Sequence, residues 1–338
     1  MLSTLIQSVK NRATAANAFL LLSELRDEAF GDKQSTLNSF LNQRKYPDVH
    51  VQDDRIFRHC SVVSHLYAVY EDFVHNSLQL WLARMPRYYR FSHLDESLQN
   101  AYRSGMATLI RDIGKRQFRH LSLLHLLERY TICIRDDQPW QFVPEALTLH
   151  EINLRRSELE RMFTVVGFHE FWHLLEGNRY LKLYMENADD LDRVETLLDY
   201  FVTYRNEASH GIPDEILGSD SLRQWISFTT AICEAIAEII TIKTLSFEKA
   251  LNPSCVIGHV SEKYGDNIVV AKCSRCELYV GQQLYFLKPS SVTHAIIESL
   301  QLDDKNVIDI KVQNDEVEVG MRMSSDVRKR AEILDISL

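Results

Sequence analysis

Apolar residues recur at helical spacing from the start of the chain to about residue 250, and at strand spacing beyond it. Between Ala15 and Phe30, the side chains Phe19, Leu20, Leu22 and Leu25 fall on overlapping faces. From Phe57 to Leu82, the residues Val62, Leu66, Val69, Phe73 and Leu80 form the stripe of a long helix, and Pro86 then breaks the pattern. Further helices are predicted near 95–113, 117–133, 151–166, 169–175, 190–209 and 220–249. The grammar changes at Asn252-Pro253. Short runs follow: Val256-Ile257, Ile268-Val269-Val270-Ala271, Leu284-Tyr285-Phe286-Leu287 and Ile308-Asp309-Ile310-Lys311-Val312. Turn signals such as Tyr264-Gly265-Asp266-Asn267 and Gln313-Asn314-Asp315 punctuate them. The pattern predicts a multidomain α and β protein, with an all-α helical bundle over 1–250 and a small β-barrel over 254–338.

Composition supports long helices, since 338 residues include only 11 glycines and 7 prolines to interrupt them. A net charge of -9 argues against coating long nucleic acid through an extended basic surface. It leaves room for a site that holds one or two phosphates with a few arginines. Six cysteines are too sparse for a disulfide scaffold, and the first ten residues lack the basic start and apolar run of a signal peptide. With no apolar run of about eighteen residues, the expectation is a cytoplasmic protein without a membrane span.

The candidate chemistry sits at the end of one helix. Leu191 to Ala208 places Val194, Leu197, Leu198 and Phe201 on a buried face, and Gly211 then Pro213 stop the helix. Its last residues read Arg205-Asn206-Glu207-Ala208-Ser209-His210. Asn206 and His210 are four apart and share one face, with Arg205 one step round the helix. A histidine exchanges protons near neutrality, and a helix C-terminus favours its protonated form. An arginine fork neutralises charge building on a phosphate, and the asparagine orients either partner. Such a set suits RNA cleavage by the ribose 2′-hydroxyl, a nucleophile already held in place, so no metal or other cofactor is required. The spacing alone equally describes a helix-terminating histidine beside a solvated arginine.

The run Tyr204-Arg205-Asn206-Glu207-Ala208-Ser209-His210-Gly211 resembles the signature of the HEPN superfamily of all-helical nucleases. Two other stretches, Leu66-Tyr67-Ala68-Val69-Tyr70-Glu71-Asp72-Phe73 and Asn153-Leu154-Arg155 with the residues after it, are similar to its RiboL-PSP branch. The likeness spans roughly residues 10 to 245. It implies a HEPN-like bundle, a homodimer with one composite cleft, and metal-independent endoribonuclease activity leaving a cyclic phosphate. It implies catalytic roles for Arg205, Asn206 and His210, with Glu71 the candidate supporting residue of the cleft, a position that a solvated or salt-bridged helix glutamate describes equally well. Many members are toxins or anti-phage effectors, so the expected partners are an RNA substrate, with tRNA or another structured RNA in view, and an antitoxin or regulatory protein. A non-catalytic HEPN-type sensor or binding protein is the alternative of a different kind.

Arg155 either contributes to phosphate binding or braces the motif helix, the second being favoured because 153–155 are expected to lie inside a helix with apolar neighbours on both sides. The cluster Arg84, Arg87, Tyr88, Tyr89 and Arg90 mixes cations with aromatics, as a single-strand RNA contact does and as a solvated helix end does. Cys273-x-x-Cys276 with Cys255 and His259 has zinc-like spacing, against which stand the single Cys-x-x-Cys pair and a β setting. His169-Glu170-Phe171-Trp172-His173 spells the zinc metalloprotease pattern but has no evident third ligand and only a short helix between Gly167 and Gly177. Finally, Ile257-Gly258-His259-Val260, Tyr279-Val280-Gly281-Gln282-Gln283-Leu284 and Glu318-Val319-Gly320-Met321 resemble the second-domain barrel of translation GTPases such as elongation factor Tu, with Gly320 closing a final turn.

Overall fold

A computed structural model describes residues 2–31, 51–136, 139–148, 153–188, 193–211, 213–313 and 315–336. Its first part is helical, with α-helices at Ser3–Gly31, Val51–Tyr88, Glu96–Asp112, Leu123–Arg135, Arg156–Val165, Phe171–Glu176, Arg179–Asn187, Val194–His210 and Ser219–Leu251. Asn314 of the expected turn, like 151–152 and 190–192 of two expected helices, lies outside the described residues.

The Ser3–Gly31 helix buries Val9, Ala16 and Leu20 against the Val51–Tyr88 helix. The expected face through Phe19, Leu22 and Leu25 instead points outward, with Leu22 66% exposed. Ala18 to Leu22 is apolar all round, so the neighbouring helix rather than the local pattern decides which side is covered. In the Val51–Tyr88 helix the core stripe runs through Val62, Leu66, Val69 and Phe73 and continues through Leu78 and Trp81, leaving Leu80 half-buried. Pro86 lies inside the last turn of this helix, which continues to Tyr88.

The Val194–His210 helix packs across the Val51–Tyr88 helix. Val194, Leu197, Leu198 and Phe201 are all buried. Phe201 stacks on Trp225 at 5.5 Å and meets Tyr67 and Tyr70 at tilted or edge angles. Gly211 ends the helix at φ +74, where its N–H bonds the Ala208 carbonyl, a left-handed cap that glycine adopts without strain.

After Asn252 the described residues form nine strands: β1 Val256–Tyr264, β2 Ile268–Cys273, β3 Cys276–Tyr279, β4 Gln283–Lys288, β5 Ser291–Leu302, β6 Lys305–Val307, β7 Asp309–Val312, β8 Val317–Met323 and β9 Glu332–Leu334. Six close into a barrel in the order β4-β9-β1-β2-β8-β5, with β5 returning to pair β4. Strand β6 extends β5 as a hairpin, and β3 pairs β7 in a separate ribbon. Closure removes the open edges that would otherwise template aggregation. Alternate residues point inward, so Val260, Val269, Ala271, Ile297, Leu300, Val319 and Met321 fill the interior. Gly258 is required by close approach: a Cβ there would fall on the Lys272 carbonyl of β2. Gly320, expected to close a turn, lies instead within β8 between Val270 and Gln301.

The compact units divide at Ala237/Glu238, inside the Ser219–Leu251 helix, while helix gives way to strand only at Asn252-Pro253. The last turns of that helix belong with the barrel. Leu245 packs with Cys255, Tyr285, Leu287 and Leu334, and Glu238 accepts the Val292 N–H at 3.0 Å. Against the expectation of no such segment, this helix is long and apolar enough to cross a membrane; 72% of its most apolar stretch is buried inside the protein, as in a core helix.

Candidate active site

The motif lies where the Val194–His210 helix emerges from the aromatic core around Phe201. Arg205 and Asn206 are half-buried and His210 is exposed at the helix end. A network of side chains from three segments meets at Asn206. Its Oδ1 accepts from Asn153 Nδ2 at 2.9 Å and from Arg205 Nη1 at 3.2 Å. Arg205 Nη1 also donates to Asn153 Oδ1 at 3.2 Å, and the guanidinium lies over the Tyr67 ring at 4.8 Å.

Tyr67 anchors the far side. Its hydroxyl accepts the Leu154 N–H at 2.9 Å and donates to Asn153 Oδ1 at 3.5 Å. Tyr70, one helical position further round, donates to the Leu154 carbonyl at 3.2 Å. These bonds occupy the backbone of 154, and the Arg155 N–H bonds the Asn153 carbonyl at 2.8 Å in a tight turn, so the expected helix over this segment begins only at Arg156. Burial is the main cause that raises the Tyr67 pKa. The Leu154 N–H and the charges of Arg205 and Arg155 oppose it, and Glu71 adds to it. Glu71 lies half-buried one turn along from Tyr67.

Arg155 faces the motif helix rather than its open end. Its Nη1 bonds the carboxylate and the carbonyl of Asp199 at 2.7 and 3.1 Å, and its Nη2 reaches Thr203 at 3.2 Å. It braces the helix one to two turns before Arg205. Beyond the helix, the stretch 213–218 is tied back at two points. Tyr204 donates to Glu215 at 2.9 Å, and the Leu217 N–H donates to Nδ1 of the buried His59 at 3.1 Å. Burial and then the carboxylate of Glu215 push the Tyr204 hydroxyl up to about 12, and burial lowers the His59 pKa.

The remaining candidates separate from this cluster. Tyr88 packs on Trp81, and the backbone carbonyl of Tyr89, just past the helix end, accepts the Trp140 N–H. Cys273 and Cys276 lie in the barrel core while Cys255 belongs to a different apolar cluster, so the zinc-like set is not assembled. The metalloprotease pattern fails on backbone grounds. Its helix begins at Phe171, and Glu170 stands in the left-handed region at φ 56, so His169 is not on the helix that carries His173. Among the described residues no group of three or more His, Cys, Asp or Glu could hold a metal ion. An open cavity of about 510 Å³ lies over His173, lined also by Arg156, Glu160, Glu170, Trp172 and Glu176.

Asn153 and Tyr67 are the functional candidates whose roles the sequence does not reveal. Both stand in the stretches that resemble the superfamily, yet nothing in their spacing says that they converge on Asn206.

A family model described as HEPN_MAE_28990-like HEPN matches residues 1–246. No curated protein and no solved structure matches the chain.

Proposed function

Because the chain belongs to the HEPN_MAE_28990-like HEPN family, we propose that it is a metal-independent endoribonuclease working through Arg205, Asn206 and His210. The observation that carries this reading is the half-buried Arg205–Asn206–Asn153 network opening toward an exposed His210 on the same helix.

The chemistry follows from those groups. The ribose 2′-oxygen forms a bond to phosphorus, and the bond from phosphorus to the 5′-oxygen breaks, leaving a 2′,3′-cyclic phosphate and a 5′-hydroxyl. His210 exchanges the protons, taking one from the 2′-hydroxyl or giving one to the leaving oxygen. Arg205 holds the phosphate while negative charge builds on its free oxygens, and Asn206 donates to the same group. One histidine per chain performs one of the two proton transfers at a time. A second copy of the chain placing its motif opposite the first supplies the other, so the working form is a homodimer.

The substrate is RNA, with tRNA or another structured RNA in view, and the biological setting is a toxin or an anti-phage defence effector restrained by a partner protein. The barrel, which resembles the second domain of translation GTPases, serves to dock the RNA. Incubation with total RNA in excess EDTA tests the reading. Wild type is expected to yield fragments ending in cyclic phosphate, and His210→Ala and Arg205→Ala to yield none. Absence of cleavage by wild type with or without metal would overturn it in favour of a HEPN-type binding or sensor protein.

A further inference from the structure

We infer that Asn153 is a positioning residue that sets which way the Asn206 carboxamide faces, and so makes the motif a donor site for a phosphate oxyanion; this rests on the proposed nuclease reading. A carboxamide has one accepting and one donating end, and only the pattern of neighbours distinguishes them. Here both neighbours on the inner side are donors, Asn153 Nδ2 at 2.9 Å and Arg205 Nη1 at 3.2 Å. They fix the Asn206 oxygen inward. The opposite orientation would set N–H against N–H at two contacts.

Asn153 is itself fixed in the same way. Its Oδ1 accepts from Arg205 and from the Tyr67 hydroxyl, which leaves its Nδ2 to face Asn206. The Tyr67 hydroxyl can give its proton to Asn153 because it already accepts the Leu154 N–H. The order of donation runs from the Leu154 backbone through Tyr67 and Asn153 to Asn206. With the inner contacts satisfied, the Nδ2 group of Asn206 and the Nε and Nη2 groups of Arg205 have no acceptor among the described residues. All of them are donors, and they project from adjacent residues at a helix end that remains partly open to solvent. A tetrahedral oxyanion carrying two or three acceptor oxygens fits that set, and a cation or a hydrogen-bond donor does not.

Asn153→Asp inverts the chain at one atom. An oxygen then faces the Asn206 oxygen, Asn206 turns over, and an acceptor replaces a donor toward the phosphate. Asn153→Leu has similar bulk and no charge, and separates lost orientation from added charge. Tyr67→Phe keeps the ring beneath Arg205 and removes only the hydroxyl.

The experiment uses the full chain with ¹⁵N in asparagine side chains only, with Asn206→Ala assigning the relevant signal pair. In wild type, titration with inorganic phosphate is expected to shift that pair. The affinity read from this shift should fall at least about tenfold in Asn153→Asp, somewhat less in Asn153→Leu, and about threefold in Tyr67→Phe. RNA cleavage should follow the same order, with kcat down about 100-fold in Asn153→Asp and KM changed far less, as for loss of an oxyanion donor. An unchanged phosphate response in Asn153→Leu and Tyr67→Phe overturns the inference, as does a wild type with no response at all. A wild type that responds to phosphate but cleaves no RNA removes the nuclease reading and leaves the positioning role standing. Cleavage at the wild-type rate by all three variants removes the positioning role alone.

Discussion

The motif end of the Val194–His210 helix and the interior of the barrel use opposite means of being specific. Around Arg205 the contacts are polar, directional and half-open to solvent, with each oxygen or nitrogen placed by the next. Inside the barrel they are apolar and buried, and the side chains of alternate strand positions are held by packing. A polar network held together by its own hydrogen bonds can be rearranged by exchanging one atom with small loss of stability, because water replaces what is lost. A close-packed interior tolerates almost no change of volume but has no chemistry to lose. Sensitivity of function should therefore lie at the motif and sensitivity of fold in the barrel interior.

Substitutions that cross this division test it, and the largest effect belongs to Arg205→Ala. On the proposed reading its cleavage rate in EDTA falls about 1,000-fold, roughly 4 kcal/mol of lost transition-state stabilisation, while urea unfolding changes by no more than about 1 kcal/mol. A loss of stability as large as the loss of rate would show that Arg205 serves the fold rather than the chemistry. Next comes Gly258→Val in β1, which drives a side chain into the Lys272 carbonyl and should destabilise the protein by about 3 kcal/mol or more, read as a lower midpoint in urea. Ile297→Ala in β5 leaves a cavity in the barrel and should cost about 2–4 kcal/mol, with the cleavage rate per folded molecule unchanged. A fall in that rate at full folding would show the barrel interior to be tied to the chemistry.

The smallest effect concerns pH. Burial holds the pKa of His59 below its ordinary value of 6.5, so between the two values the unfolded chain binds a proton that the native chain does not. Stability therefore falls as pH drops below about 6.5 and levels off once the native value is passed. His59→Phe should flatten this part of the stability profile, measured by urea unfolding from pH 7.5 to 5. A slope unchanged by the substitution would assign the acid sensitivity to other groups.

How much of this could be read from the chain depends on how far the determining contact lies along it. The buried face of the motif helix was legible because Val194, Leu197, Leu198 and Phe201 recur at one helical period, and Gly211 marks its own cap. The strands announced themselves by alternation, and their barrel closure agrees with the number of short runs. The face of the first helix was not legible, since Ala18 to Leu22 offers no polar position to exclude. The non-helical turn at 153–155 was missed for a related reason: hydroxyls more than eighty residues away take up the backbone groups of Leu154. The same distance hid Asn153 and Tyr67 as partners of Asn206. Spacing along one helix places Asn206 with His210, but its orientation is fixed by Asn153, which Tyr67 of the Val51–Tyr88 helix holds in turn.

The Ser219–Leu251 helix has a consequence for anyone who divides the molecule. The break in local pattern at Asn252-Pro253 invites a cut there, yet the barrel would then lose Leu245 from an apolar cluster and the Glu238 carboxylate from the Val292 amide. A fragment begun at 254 would expose a greasy seam and should aggregate, whereas one begun ahead of Glu238 carries its own cover. In recombination, natural or engineered, the inheritable module is therefore the barrel together with the helical stem that precedes it.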